Sequence, residues 1–260
     1  MILKKTSMVL LVCFSFLSLA SCGQKKESNV ALEKDNKVEK ATSSETATSE
    51  LEISTTESVS GSSEEVTAEN SNDPSRAKEV HFNGSYYSVQ GKYGEVIIVN
   101  KKHPLASSYA PGENAVAQAA FFQLRSAMQT SGFDISNHYS GFRSYDTQAS
   151  LYNNYAARDG QANADRYSAR PGYSEHQTGL AFDLMDSAGN LLQEASAVKW
   201  LEENAHQYGF IVRYITGKES VTGYMAETWH VRYIGQEAGD IYQSGLTLEE
   251  YFGISGGDYQ

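Results

Sequence analysis

Cysteine is absent from all of the chain beyond residue 22, because both cysteines, Cys13 and Cys22, lie near the start. A globular domain built from the remaining residues therefore has no disulfide scaffold, no cysteine zinc cluster and no cysteine nucleophile. Clusters of basic residues are also missing from this chain, whose formal net charge is −11. We expect no nucleic-acid partner, since no stretch is basic enough to bind a phosphate backbone.

Aromatic residues are absent between Phe16 and Phe82, and residues 23–75 carry five Lys against twelve Asp or Glu. Residues 41–67 contain fourteen Ser or Thr instead. A segment without large apolar groups cannot offset the entropy cost of becoming ordered. We therefore predict that residues 22–76 form a disordered Ser/Thr/Glu-rich tether, with a root-mean-square reach of roughly 40 Å.

The first 21 residues have the features of a secretory signal peptide. Lys4 and Lys5 precede an apolar run over residues 8–19, which is too short to cross a bilayer comfortably, and small residues follow it. The ending Leu-Ala-Ser-Cys resembles the bacterial lipobox, in which the signal is cut before a cysteine that is then acylated. Two or more acyl chains on Cys22 would anchor the protein stably to a membrane. An ordinary signal peptide with a chance cysteine is the alternative.

Residues 77–256 are predicted to form one domain of ordinary size with its own core. The predicted helices cover residues 113–130, 145–158, 194–208 and 248–252, and the predicted strands cover residues 95–100, 180–184, 210–214 and 229–233. Ser144 caps the second helix, and Thr247 with Glu250 has the spacing of a capping box. Because two helices come first and strands interleaved with one more helix follow, the order favours an α+β fold over a doubly wound sheet.

Two short segments contain the candidate chemistry. Residues 174–183 read SEHQTGLAFD, and residues 227–230 read ETWH. A zinc ion that activates water needs three protein ligands and an open fourth position, which two histidines and an aspartate can provide. The ion acidifies the water, and a nearby carboxylate can take the proton. We predict that the zinc ligands are His176, Asp183 and His230, and that Glu227 is the general base.

Spacing alone does not force this assignment. On an extended strand Glu227 and His230 would point to opposite faces, so the segment must turn or bulge for both to reach one metal. Taken singly, each histidine is compatible with a surface or core position. Asp183 is equally compatible with a turn at the end of a strand.

These segments, together with GFRS at residues 141–144, resemble the VanY-type zinc D-Ala-D-Ala carboxypeptidases. The resemblance covers about residues 80–254 and keeps the order of three separate motifs. It implies an α+β fold with helices on a central antiparallel sheet and zinc in an open cleft. It also implies the same ligands and base as above, with Arg143 polarising the scissile carbonyl and stabilising the oxyanion. A surface ion pair is the alternative for Arg143.

The resemblance also implies a set of contacts to a bound stem peptide, although aromatic side chains in such segments are often buried in the core. Core packing is thus the alternative for Tyr155 and Trp229. The implied substrate-binding residues are Gln148, Tyr155, Ser168, Ser174, Tyr214 and Trp229.

Within this family the domain looks most like the L,D-carboxypeptidases, so we expect a monomeric enzyme that removes the C-terminal D-Ala from peptidoglycan stem tetrapeptides. D,D cleavage of pentapeptides is the first alternative, since residue types do not decide between them. The second is a peptidoglycan-binding module without turnover, because hedgehog-type signalling domains use the same zinc fold for binding. Anchored through Cys22 on the extracellular face of the cell membrane, the domain would reach into the cell wall.

Overall fold

The computed structural model describes residues 78–259, so the predicted signal peptide, Cys22 and the whole of the predicted tether lie outside the described residues. The strands are β1 His81–Phe82, β2 Tyr87–Gln90, β3 Glu95–Ile98, β4 Tyr139–Ser140, β5 Ala181–Leu184, β6 Phe210–Tyr214 and β7 Glu227–Tyr233. The α-helices are α1 Ala115–Thr130, α2 Tyr145–Asp159, α3 Gln161–Tyr167, α4 Ala195–Asn204, α5 Glu219–Thr222, α6 Glu237–Ser244 and α7 Leu248–Phe252. Two 3₁₀ helices cover Glu175–Thr178 and Ala205–Tyr208.

The strands form two antiparallel sheets, each with its own apolar cluster. The first sheet has the order β1-β2-β3, and its buried side packs with residues of α6 and α7 such as Ile241 and Phe252. The second has the order β4-β5-β7-β6 and is covered by α1 and α4. Phe121 of α1 stacks on Phe182 of β5, with ring centroids 4.7 Å apart. This antiparallel sheet covered by helices confirms the predicted α+β fold.

Most predicted elements are present with small changes at their ends. The helix predicted over residues 113–130 begins at Ala115, because the Asn114 side chain caps it by accepting hydrogen bonds from the backbone of Val116 and Ala117. The helix predicted over residues 194–208 leaves the α-helical form after Asn204 and continues as a 3₁₀ helix. Within residues 78–259, no helix is long and apolar enough to span a membrane.

The caps at Ser144 and Thr247 are confirmed. Ser144 accepts a hydrogen bond from the backbone of Thr147, and Thr247 and Glu250 form the reciprocal capping box. Six elements were not predicted from the sequence, and most of them are too short to show a hydrophobic period: β1, β2, β4, α3, α5 and α6.

Candidate active site

The residues proposed from sequence come together in one open cleft of about 130 Å³ beside the four-stranded sheet. Cys22, the predicted lipidation site, lies outside the described residues. The predicted residues that line this cleft are Arg143, Gln148, Tyr155, Ser168, Ser174, His176, Asp183, Tyr214, Glu227, Trp229 and His230.

Two neighbouring strands and one 3₁₀ helix position the three predicted ligands. Asp183 of β5 and His230 of β7 are directly opposite each other in the antiparallel ladder, and His176 is in the 3₁₀ helix just before β5. The Asp183 carboxylate lies 3.2 Å from both imidazoles, with Oδ2 near His176 Nε2 and Oδ1 near His230 Nδ1. All three side chains are buried, and their ligand atoms lie within 4.8 Å of one another.

The outer nitrogen of each imidazole is held by an acceptor. His176 Nδ1 donates to the backbone oxygen of Gly141 at 2.8 Å, and His230 Nε2 donates to Oε2 of Glu175 at 3.2 Å. A carbonyl and a carboxylate only accept, so these contacts place the ring protons on the outer nitrogens. In the neutral rings, the nitrogens that face Asp183 then carry the lone pairs, as metal-binding histidines require.

Asp183 Oδ1 shows that a positive charge belongs at this position. This oxygen is buried and has no hydrogen-bond partner, although His230 Nδ1 lies 3.2 Å away. Two acceptors that face each other in a buried site need a proton or a cation between them. Two imidazole nitrogens and a carboxylate oxygen are a common donor set for zinc with an open position, so the residues fit the metal.

The electrostatics of the cluster agree with this conclusion. Burial favours neutral Asp183, but the adjacent His176 and His230 imidazoles outweigh it and hold the pKa of the carboxyl well below its usual range. Burial lowers the pKa of His176, which keeps this imidazole neutral and able to bind a metal. For His230, burial is outweighed by the adjacent carboxylates of Asp183 and Glu175, and its pKa rises to about 10. The site thus attracts positive charge most strongly between His230 and Asp183.

An irregularity in the sheet brings Glu227 to the same place. Between the pairs Val212–Val231 and Tyr214–Glu227, β6 advances by two residues and β7 by four. This bulge places Glu227 Oε2 3.5 Å from His230 Nδ1. The bend that the sequence required of this segment is therefore present.

Glu227 is the least acidic carboxyl group of the cleft. Burial raises its pKa to about 8, and the nearby His230 imidazole partly opposes this shift. A carboxylate with a high proton affinity is a good proton acceptor near neutral pH. A bound dication would lower the pKa again and keep Glu227 ionised until it accepts a proton.

Arg143 faces the cleft rather than forming a surface ion pair. Its Nη1 donates to Oε1 of Gln148 at 2.8 Å, and its Nη2 donates to Oγ of Ser140 at 3.0 Å. Nη2 also lies 3.9 Å from Oδ2 of Asp183. Gln148 is itself fixed by a 2.6 Å hydrogen bond to the backbone oxygen of Ala169. The guanidinium group is thus held beside the metal cluster by neutral acceptors, with its charge available to a ligand.

The remaining predicted contacts have mixed surroundings. Tyr155 is half-buried and meets Tyr167 edge to face at 5.3 Å, on the wall of the cleft. Trp229 both lines the cleft and packs against the main apolar cluster, so the core-packing alternative holds for part of its surface. Tyr214 is buried with its ring centroid 5.0 Å from that of His230. Ser168 and Ser174 are buried at the cleft wall, where small polar groups can contact a ligand.

Sequence reasoning missed several residues of the cleft and its support. Glu175 lies within a predicted motif but had no predicted role of its own, and the Gly141 carbonyl is a backbone group without a side-chain signal. The other cleft residues not predicted are Leu151, Tyr167, Ala169, Leu191 and Tyr224.

Gly141→Ala should weaken zinc binding by about tenfold or more, the effect typical of changes behind a metal ligand. A Cβ at this position would collide with the carboxylate of Glu113, which also accepts a hydrogen bond from Phe142 N at 3.3 Å. Either Glu113 moves and releases Phe142 N or the backbone shifts, and both changes disturb the peptide unit whose carbonyl orients His176. Zinc affinity measured by competition with a chelator tests this. Gly239→Ala is the control, because a Cβ there meets no atom within 4 Å. Unchanged affinity in Gly141→Ala would contradict the role of the carbonyl.

Comparison with known proteins agrees with this geometry. Residues 113–236 match the VanY family, described as D-alanyl-D-alanine carboxypeptidase. YodJ of Bacillus subtilis is 36% identical over 190 residues, which are 64% of this chain and 69% of that protein. The structure of the L,D-carboxypeptidase DacB from Streptococcus pneumoniae superposes with a TM-score of 0.69 at 60% identity, covering 70% of this chain and 100% of that one. The D,D-pentapeptidase VanY from a VanB-type resistance cassette, solved as a mutant with Zn(II), gives 0.53 at 33% identity and covers 60% and 97%.

Three observations indicate the same class of protein. They are the match to the family, the length of chain shared with these relatives and the histidine–aspartate cluster in the cleft. The chain belongs to the VanY family of D-alanyl-D-alanine carboxypeptidases, and it is a zinc carboxypeptidase.

Proposed function

We propose that this protein is a zinc-dependent L,D-carboxypeptidase that removes the C-terminal D-Ala from peptidoglycan stem tetrapeptides during cell-wall remodelling. The observation that supports it most is the 60% identity to DacB, named an L,D-carboxypeptidase, over that chain's full length. The D,D-pentapeptidase VanY is 33% identical over a smaller part of this chain. A second relative with known structure, LdcB, is described as an LD-carboxypeptidase that recognises peptidoglycan and is 58% identical.

In this proposal His176, Asp183 and His230 hold the zinc ion. When bound, zinc acidifies water and withdraws electron density from a peptide carbonyl. The hydrogen bond from His176 Nδ1 to the backbone oxygen of Gly141 fixes that ring in the orientation needed to bind.

Glu227 and Arg143 carry out the proton transfer and the charge stabilisation. Glu227 takes a proton from the attacking water and passes it to the departing amine of D-Ala, so it acts first as base and then as acid. The guanidinium group of Arg143 stabilises the negative charge that develops on the oxygen of the scissile carbonyl. Its two hydrogen bonds to Gln148 and Ser140 fix the guanidinium plane before substrate arrives.

The substrate contacts implied by the resemblance stay proposals of the same kind. Hydroxyl, amide and guanidinium donors suit recognition of a free terminal carboxylate. The cleft offers such donors from Gln148, Ser168 and Ser174, while Tyr155, Tyr214 and Trp229 provide aromatic walls.

Specificity is tested by comparing D-alanine release from a tetrapeptide ending in L-Lys-D-Ala with release from the pentapeptide ending in D-Ala-D-Ala. We expect a higher kcat/KM for the tetrapeptide. A higher value for the pentapeptide would favour D,D activity, which is the second candidate because a D,D-pentapeptidase is among the structural relatives. No release from either peptide by the zinc-loaded protein would contradict the proposed reaction.

We further propose that the protein is a monomer anchored through lipid on Cys22 at the extracellular face of the cell membrane. The sequence supports the lipid anchor, since a lipobox-like ending precedes an acidic segment rich in Ser and Thr. Such a tether would let the catalytic domain reach stem peptides within the wall.

A further inference from the structure

A buried carboxylate behind the metal cluster has no part in the reaction proposed above. Glu175 is 1% exposed and directly precedes His176 in the chain. Its Oε2 accepts the hydrogen bond from His230 Nε2 at 3.2 Å. Its Oε1 accepts two more, each of 2.9 Å, from Arg213 Nε and Arg232 Nη1. A charged group buried so completely needs a reason, because burial of a carboxylate is costly.

Each of the two arginines also donates to a second acceptor besides Glu175. Arg213 makes a two-pronged contact with Glu249 of α7, with distances of 2.8 and 2.6 Å. Arg232 donates its Nη2 to the backbone oxygen of Ile97 in β3 at 2.7 Å. The four buried groups therefore balance in charge, with two guanidinium groups and two carboxylates. Because arginine stays protonated in proteins, Oε1 of Glu175 can act only as an acceptor towards both of them.

We propose that Glu175 is a positioning residue for zinc binding, which fixes the tautomer and orientation of His230 so that Nδ1 presents its lone pair to the metal. This inference rests on the proposed role of His230 as a ligand. The arginines hold the Glu175 carboxylate in one orientation, and the carboxylate holds the His230 ring in one orientation. The geometry of the ligand is thus set by the Glu175 carboxylate and by the two arginines that hold it.

Replacing Glu175 with glutamine distinguishes this positioning role from simple packing. In Glu175→Gln the amide oxygen is needed by Arg213 and Arg232, which leaves the amide NH₂ facing His230 Nε2. That NH₂ can only donate, so it favours the His230 tautomer with the proton on Nδ1. The nitrogen that should bind zinc would then carry a proton. The shape of the side chain is kept, while one negative charge is lost and the direction of one hydrogen bond is reversed.

The test is the zinc dissociation constant of the full chain, measured by competition with a chromophoric chelator at fixed pH. We expect Glu175→Gln to bind zinc about 10- to 100-fold more weakly than the wild type, the usual range for a lost partner of a metal ligand. Glu249→Gln is the matched control, because it removes one negative charge from the same buried group but does not touch His230. We expect it to lower the Tm of the metal-free protein and to change zinc affinity by less than about threefold.

Equal zinc affinity in Glu175→Gln and the wild type would overturn the inference, as would an equal loss in Glu249→Gln. His230→Ala separates this inference from the proposed function. Retained zinc in His230→Ala would overturn the ligand assignment itself, whereas lost zinc there with normal affinity in Glu175→Gln would overturn only the role of Glu175. If Glu175→Gln does not fold, the double variant with Arg232→Met restores the charge balance, and the same loss of zinc affinity is expected from it.

Discussion

Replacing Glu227 with glutamine should lower kcat for D-alanine release by about 10²- to 10⁴-fold, the range lost when a general acid–base is removed. The amide has nearly the same size but cannot accept the proton of water or return one to the amine. Zinc content should stay close to that of the wild type, because Glu227 is not among the three residues whose ligand atoms converge. Discontinuous assays of D-alanine release measure kcat, and metal analysis of the same samples measures the zinc content.

Glu203→Gln is a suitable control for the loss of one carboxylate. Glu203 is exposed on α4, where it pairs with Lys199 at 2.7 Å. We expect it to leave kcat unchanged. If Glu227→Gln kept at least a tenth of the wild-type kcat while retaining zinc, another group would have to be the base. If it lost zinc instead, Glu227 would have to be counted as part of the metal cluster.

The cleft could be predicted from sequence to the extent that its side chains lie in short motifs. Asp183 and His230 were recognisable as donors of suitable type, and the structure places them opposite each other on neighbouring strands. The need for a bend between Glu227 and His230 followed from the twofold period of a strand. The position of the bend could not be predicted from the sequence. A bulge depends on the pairing of β6 with β7, which no single segment encodes.

The groups that accept hydrogen bonds from the two ligand histidines were harder to predict, because they are distant in the sequence or belong to the backbone. His230 and Arg232 are two residues apart on β7, so they were bound to share one face of the strand. A buried arginine beside a histidine signals that a carboxylate must be near, but the partner, Glu175, is 57 positions away from Arg232 in the sequence. The other histidine is held by the backbone oxygen of Gly141, a group that every residue carries. Contacts of this kind depend on tertiary structure alone.

Arg143→Lys should lower kcat/KM by about 10²- to 10³-fold, mostly through kcat, the loss typical when one group that stabilises an oxyanion is removed. Lysine keeps the positive charge but not the planar fork. It cannot donate to Gln148 and Ser140 at once while also facing the substrate, so its ammonium group would not be held beside Asp183.

The control for this substitution is Arg166→Lys, which alters an exposed arginine paired with Glu219 at 2.6 Å. Its kcat and KM should equal those of the wild type. The division between kcat and KM in Arg143→Lys identifies what the guanidinium group does. A lower kcat means that it acts on charge present only in the transition state. A higher KM with an unchanged kcat would contradict the oxyanion role, because Arg143 would then bind the terminal carboxylate of the peptide equally in the ground and transition states.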